Sequence, residues 1–254
     1  MIAPPPTAEA LLPAAGEGIR SIYWRQFAVR SVATKEQRRM MHRLRYQVYC
    51  IENPFESPAQ HPDGLEIDRF DSHSVHALLI HRPTGKTVGT VRIVLPLADR
   101  LGSSFALQSI CTAPELSHLP LETTGEISRF CIERAFRHLL HDRCDDGVVR
   151  PDGGPILVDV RRIVPSMTLG LIQWLVSTSQ ACGITHWCAV MEPTLLRLLA
   201  RLGIHFEPIG SLVDYHGWRQ PCVIEIDRML KQVLRERPDV WAVIGQRALL
   251  LDHA

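Results

Sequence analysis

Hydrophobic and polar positions along this 254-residue chain alternate between two periods. From Thr34, the apolar residues Met40, Met41, Leu44, Val48 and Ile51 recur at helical spacing, and Thr34 with Gln37 forms a capping-box start. On that helix Arg45 and Tyr49 are four residues apart and share a face. Asn53-Pro54 ends it, and the Pro-rich, polar stretch to Gly64 predicts a mobile loop suited to a lid. Short apolar runs predict strands over Ile22–Val29, Ser74–Ile80, Val88–Leu95 and Glu126–Ile132, the second and third joined by a turn at Arg82-Pro-Thr-Gly-Lys86. Ala98–Thr123 is poorly patterned. A helix over Glu133–Asp142 and an exposed loop over Asp145–Pro155 come next. Beyond them the pattern reads strand Ile156–Val160, helix Ser166–Cys182, strand Ile184–Val190 and helix Pro193–Leu202 stopped by Gly203. A short strand His205–Ile209, a turn at Tyr215–Trp218, strand Cys222–Ile226 and helices Arg228–Arg235 and Val240–Leu251 close the chain. This order predicts an α/β (α+β) domain, a mixed central sheet with helices on both faces, over residues 21–226. A flexible tail, 1–20, precedes it and a C-terminal helical extension, 227–254, follows.

Charge interrupts the apolar pattern at Glu66-Ile-Asp68-Arg-Phe-Asp71, Gly89-Thr-Val-Arg92-Ile-Val and Gly125-Glu126-Ile-Ser-Arg129-Phe-Cys. Charges inside apolar, β-rich segments must pair or lose several kcal/mol to desolvation, so their recurrence points to one shared polar cluster. In a regular strand Glu126, Ser128 and Phe130 face one side, and Ile127, Arg129 and Cys131 the other. Glu126 and Arg129 can cooperate only where the strand is bulged, and bulges favour active sites. A partly buried carboxylate there suits a general base, directly or through water, with its pKa tuned by Arg129 and desolvation. An ion pair across the sheet fits the same spacing. Asp68 and Asp71 sit where a turn can point both inward, to hold a cationic amine or a hard metal ion, or outward as a solvated acidic turn. Arg92, in an almost continuous apolar run, needs an anionic partner unless it snorkels from an edge. Arg45 belongs either to the cluster or to a solvated face with Arg38, Arg39 and Arg43.

Composition narrows the classes. A formal net charge of +1 exerts no global pull on nucleic acid. No apolar run approaches the length of about 20 residues that spans a bilayer, which leaves open peripheral contact with a membrane surface. The N-terminus, lacking a basic start and a long apolar stretch, reads as a tail rather than a signal peptide. Seven cysteines without a CxxC fit a reducing cytoplasm. His138, His141, Cys144, His73 and His76 lack standard zinc spacing, so no metal is expected. Cys131 reads as a core residue rather than a nucleophile.

The ordered set LRYQVYCIE (44–52), DGLEIDRFD (63–71), VGTVRIV (88–94) and GEISRF (125–130) resembles the acyl-homoserine-lactone synthases. It resembles still more closely the N-acyltransferases associated with the PEP-CTERM/exosortase system, relatives of long-chain N-acyl amino acid synthases. GITHWCAVMEPTLLRLL (183–199) and YHGWRQP (215–221) are similar to that second family. The resemblance covers roughly 27–226 and implies the GCN5-related N-acyltransferase (GNAT) fold, in which a splayed, bulged strand accommodates the acyl donor. It implies that Arg45, Asp68, Asp71, Arg92, Glu126 and Arg129 form the charged active-site set, with Tyr49 and Ser128 in the substrate-binding wall. Tyr49 and Phe55 stand where lactone synthases commonly carry Phe and Trp, which favours the exosortase-associated branch.

The implied reaction moves a long fatty acyl group from a thioester to the amino group of an amino acid or related amine. Glu126 is the expected base, bulge N–H groups the oxyanion donors, and Arg129, Arg92, Asp68 and Asp71 the groups that orient the amine and hold Glu126 ionised. Residues 133–166 lack the Gln/Arg-x-x-Gly-x-Gly/Ala loop that cradles pyrophosphate, which favours an acyl carrier protein over acyl-CoA as donor, with no bound cofactor. Arg134, Arg137, Arg143, Arg161 and Arg162 supply either a docking face for that acidic partner or ordinary solvated surface. The alternatives are an autoinducer synthase of the lactone type and a non-catalytic acyl-ligand sensor.

Overall fold

Two long strands, β2 (Ser74–His81) and β3 (Lys86–Val94), pair antiparallel across the Arg82–Gly85 turn, where Gly85 takes φ 66°. From Val88 to Val94 every residue of β3 is buried, as in a strand covered on both faces. The computed structural model describes residues 18–111, 116, 119–136 and 160–245. Its other strands are β1 (Phe27–Ser31), β4 (Thr124–Ile132), β5 (His186–Met191), β6 (Glu207–Pro208), β7 (Val213–Asp214) and β8 (Trp218–Glu225). The sheet order is β1-β2-β3-β4-β5-β8-β6, with β7 pairing β8 off this path. All pairs are antiparallel except β4 with β5. That parallel pairing joins only Thr124–Glu126 to His186–Cys188; past it neither strand bonds the other, which is the expected splay.

Helices cover both faces. On one side α4 (Val160–Ala181) buries Met167, Leu171 and Leu175 against Val91 and Ile93 of the sheet. The same core takes in Met229 and Val233 of α6 (Ile226–Glu236) and Val240 and Val243 of α7 (Pro238–Ile244). On the other side α2 (Lys35–Tyr46) starts at the Thr34–Gln37 capping box and packs Leu44 toward Cys131 of β4. The remaining helices are α1 (Ile19–Gln26), α3 (Leu107–Ile110) and α5 (Pro193–Arg201).

Several elements differ from the expectation. Of the strand expected over Ile22–Val29 only Phe27–Val29 is strand: α1 runs to Gln26 and β1 begins at Phe27. Its aromatic, β-branched run has strand propensity, but Ile22, Tyr23 and Gln26 bury one helical face, and the Tyr23 hydroxyl donates to Gln173 Oε1 at 2.8 Å. Met40 and Ile51 are exposed, because past Tyr46 the helix widens to a π-helix over Gln47–Glu52 and the buried stripe passes through Met41, Leu44, Arg45 and Val48. The helix expected from Ser166 already starts at Val160 and carries Pro165 inside it. Val160 is therefore helical rather than the end of a strand, and 156–159 lie outside the described residues. The strand expected over His205–Ile209 shrinks to Glu207–Pro208, and β8 begins at Trp218 rather than Cys222. The helix expected from Glu133 is present at 134–136; its remainder, the 145–155 loop, the tail to residue 17 and the chain beyond 245 lie outside the described residues.

Gly170 is where α1 meets α4. A Cβ there would lie 2.4 Å from Tyr23 Cε2 and 3.1 Å from Cδ2, so the ring sits where only glycine leaves room. Gly170→Ala gains roughly 1 kcal/mol in helix propensity but overpacks the contact at a cost of about 1–3 kcal/mol. Urea denaturation is expected to show net destabilisation; a stabilised variant would mean the ring moves freely.

Candidate active site

The charged runs come together at the splay. Arg45 on α2 and Arg92 on β3 are 0% and 1% exposed, and both are met by carboxylates from one short segment. Asp68 caps the 3-10 turn Arg69–His73: its side chain accepts from the Phe70 N–H at 2.9 Å, while Asp71 Oδ2 accepts from the Asp68 N–H at 2.8 Å. This capping box points both carboxylates inward, as the turn reading required. Arg92 Nη1 then donates to Asp68 Oδ1 at 2.5 Å and to Asp71 Oδ1 at 2.8 Å, and its Nε to Ser128 Oγ at 3.0 Å. Arg45 Nη1 donates to Asp71 Oδ1 at 2.6 Å and its Nε to Glu66 Oε2.

Arg129 owes its position to the bulge. Thr90 pairs with Cys131 and Arg92 with Ser128, so Val91 alone stands opposite Arg129 and Phe130. Arg129 takes φ 51°, a left-handed conformation that costs a non-glycine residue roughly 1–2 kcal/mol. Its Nη2 contacts Glu66 Oε1 at 2.8 Å, Asp68 Oδ2 at 3.0 Å and Glu56 Oε1 at 3.2 Å, and its guanidinium lies 5.1 Å from the Tyr49 ring centroid. Glu66, 1% exposed, thus bridges Arg45 and Arg129. Burial alone would raise its pKa, but the two guanidiniums hold it down at about 2. Burial likewise opposes ionisation of Asp71 and Asp68, and Arg45 and Arg92 overcome it, keeping both below the usual carboxylate range. Arg129, despite burial, is driven further toward its charged form by Glu66 and Asp68.

Glu126 is different. It is 2% exposed, and Oε2 accepts from the Leu107 N–H of α3 at 2.7 Å; among the described residues it has no ion pair. Burial pushes its pKa up to about 7, outweighing the Leu107 bond and the charges of Arg92 and Arg129. The expectation that the network holds Glu126 ionised is thereby corrected, since burial raises its pKa: the arginines spend their charge on Glu66, Asp68 and Asp71. Glu126 and Arg129 nevertheless line one cavity of about 420 Å³. Asp68, Arg92, Ser128 and Tyr49 line it too, and its apolar part is formed by Val164, Val190, Met191, Leu195 and Leu198. Arg45 and Asp71 support it from behind through their ion pairs. The Cys131 thiol, pushed up to about 12 by burial, fits a packing residue.

Sequence reasoning missed Glu56, the Leu107 amide, His216 and Arg219, all at this site, and the hub role of Glu66. Glu66 was visible as a charge in its run and Arg219 stood within the 215–221 motif without being singled out, whereas Glu56 carries no local signal separating it from surface charge. Among the proposed docking arginines, Arg134 is exposed, and its Nη2 donates to Glu52 O and Asn53 Oδ1, both at 3.0 Å. Arg137 and Arg143 lie outside the described residues, as do His138, His141 and Cys144; Arg161 and Arg162 lie in the first turn of α4.

Residues 44–141, from α2 through β4, match the acetyltransferase (GNAT) domain family. No curated protein sequence matches the chain. Among solved structures it is similar to the AHL synthase LasI, at 20% identity and TM-score 0.52 over 79% of this chain and 89% of that one. It is similar to BjaI, a CoA-dependent acyl-homoserine lactone synthase with SAM and isopentyl-CoA, at 18% identity and TM-score 0.55 over 86% and 99%. It is also similar to FeeM, an N-acyl amino acid synthase from uncultured soil microbes, at 15% identity and TM-score 0.51 over 83% and 96%. At such identities the likeness to solved structures is one of fold. The domain match and the GNAT-like fold together make this chain an acyltransferase.

The two kinds of buried carboxylate shift stability in opposite directions with pH. Glu66 falls from 4.5 to about 2 on folding, so its contribution is full above 4.5 and fades as pH drops toward 2. Glu66→Gln leaves Arg45 and Arg129 short of a partner and is expected to cost about 3–5 kcal/mol at neutral pH. Glu126 rises from 4.5 to about 7, so ionising it penalises the fold increasingly as pH climbs through that window. That penalty is on the order of 3 kcal/mol when complete. Chemical denaturation from pH 5 to 8 is expected to show Glu126→Gln gaining stability relative to the parent chain as pH rises; parallel curves would mean an unshifted Glu126.

Proposed function

We propose that this protein is an N-acyltransferase of the exosortase-associated type, moving a long-chain fatty acyl group from an acyl carrier protein thioester to the amino group of an amino acid. The observation that carries the reading is Glu126: a buried carboxylate without a counter-cation among the described residues, raised to about 7, in the cavity that opens where β4 and β5 part. An amine that arrives as ammonium must lose a proton before it attacks, and a base poised near neutrality suits that task. Glu126 takes the proton, directly or through water. The free amine nitrogen attacks the thioester carbonyl, forming the C–N bond; the tetrahedral oxyanion is stabilised by backbone N–H groups at the Arg129–Phe130 bulge. Collapse breaks the C–S bond, and the amine's remaining extra proton passes to the departing thiolate. Arg92 and Asp68 hold the polar wall, and Tyr49 backs it.

A long acyl chain is supported by the apolar lining of the cavity, which includes Val164, Val190, Met191, Leu195 and Leu198. A carrier-protein donor is supported by the absence of a pyrophosphate-binding sequence in 133–166, and the exosortase-associated branch by the 183–199 and 215–221 motifs. The six described cysteines are all free thiols, which supports the cytoplasm as the working compartment.

Purified protein given a long-chain acyl carrier protein and mixed amino acids is expected to yield an N-acyl amino acid by mass spectrometry. Parallel arms with acyl-CoA as donor and with S-adenosylmethionine as acceptor discriminate the donor class and the lactone-type reaction. No product in any arm, with tight binding of acyl ligands, would replace the enzyme reading with a sensor. The acid limb of kcat/KM is expected near pH 7, and Glu126→Gln is expected to lower turnover by roughly 10²- to 10⁴-fold with the fold intact. Near-normal turnover in that variant would remove Glu126 as the base.

A further inference from the structure

The positive charges on the cavity wall are not equivalent. Arg92 and Arg129 are each neutralised by carboxylates within 3.2 Å. Arg219 lines the same cavity, yet among the described residues it makes no ion pair; its one polar contact runs from Nη1 to the Trp218 carbonyl at 3.2 Å. Its guanidinium is nevertheless positioned rather than loose. It sits on β8 opposite Val213, at the root of a hairpin whose tip takes positive φ at His216 (55°) and Gly217 (89°). Its Cζ lies 5.2 Å from the Phe55 ring centroid, and Phe55 in turn stacks on His216 at 6.2 Å. The 53–56 loop and the β7–β8 hairpin thus hold each other, tied also by Glu56, which reaches both Arg129 and, at 3.8 Å, His216.

A half-buried arginine, stacked on an aromatic ring and lacking an acidic partner, presents a planar fork of donors to whatever anion enters the cavity. Elsewhere the cavity wall is acidic on balance: Glu56 and Asp68 pair with Arg92 and Arg129, and Glu126 and Glu192 line it besides. The wall therefore has a polarity that matches a zwitterion, with the ammonium drawn toward Asp68 and Glu126 and a carboxylate toward Arg219.

We propose that Arg219 is the specificity-determining residue for the acceptor, binding the carboxylate of an amino acid whose amine is acylated. This rests on the N-acyltransferase reading and narrows it: simple amines, amino amides and amino esters are poor acceptors. Loss of a charge-assisted pair of this kind is read as about a 10- to 100-fold fall in kcat/KM.

The test compares, on the full chain with one acyl donor, an amino acid, its carboxamide and its decarboxylated amine. The amino acid is expected to be preferred at least about tenfold. Arg219→Gln is expected to narrow that gap through the KM of the amino acid, with Arg219→Lys recovering part of it. Equal use of acid and amine by the parent chain, which needs no variant, would overturn the proposal. So would an Arg219→Gln effect confined to the KM of the acyl donor, which would give the guanidinium to the donor's phosphates. Equilibrium binding of the free amino acid, measured by calorimetry on parent and Arg219→Gln, separates the two levels. Binding that depends on Arg219 without turnover sustains the carboxylate site and sinks the acyl-transfer reading; product formation indifferent to Arg219 does the reverse.

Discussion

Two fully buried guanidiniums, Arg45 and Arg92, set the terms for this fold. Neither can give up its proton, so each must be surrounded by carboxylates or the domain cannot close. Glu66 is the keystone, because it is shared between Arg45 on α2 and Arg129 on the bulged strand. Through it the helix, the capped acidic turn and the sheet are fastened at one point. The left-handed backbone of Arg129 is tolerable there because three carboxylates hold the side chain.

That neutralised block also explains why Glu126 stands apart. Had Arg129 extended regularly along β4, its face would have alternated away from Glu126; the bulge turns it toward Glu66 and Asp68 instead. The strand therefore presents one carboxylate with a hydrogen bond but, among the described residues, no paired cation, next to arginines already engaged. Burial then sets its proton affinity. Rigid electrostatics on one side of the cavity and an adjustable proton site on the other arise from the same irregularity in one strand.

Much of this was legible in the residue pattern. The Thr34–Gln37 start, the β2–β3 hairpin and the need for a bulge between Glu126 and Arg129 all follow from local chemistry, and Asp68 and Asp71 pointed inward as their spacing allowed. Ile22–Gln26 misled because strand propensity in an aromatic run lost to a long-range contact, Tyr23 against Gly170, that no local window contains. The helix expected from Ser166 lacks its first turn because α4 carries Pro165 in its interior, where proline ordinarily marks a boundary. Glu56 and Arg219 become site residues only when a loop and a hairpin some 160 positions away fold over the same opening.

The π-helix at Gln47–Glu52 has a consequence for how such a chain can change length. A wide turn holds one residue more than an α-helical turn, and each residue rotates a helix by about 100°. Deleting one residue early in that turn would restore a regular helix while swinging Tyr49 and Glu56 away from Arg129 and Phe55 away from Arg219. The segment's exposed position Ile51 is open to substitution, but loss of a single codon is not tolerated unless another insertion restores the phase. Among natural variants the spacing between Arg45 and Phe55 should therefore be invariant even where the residues between them drift.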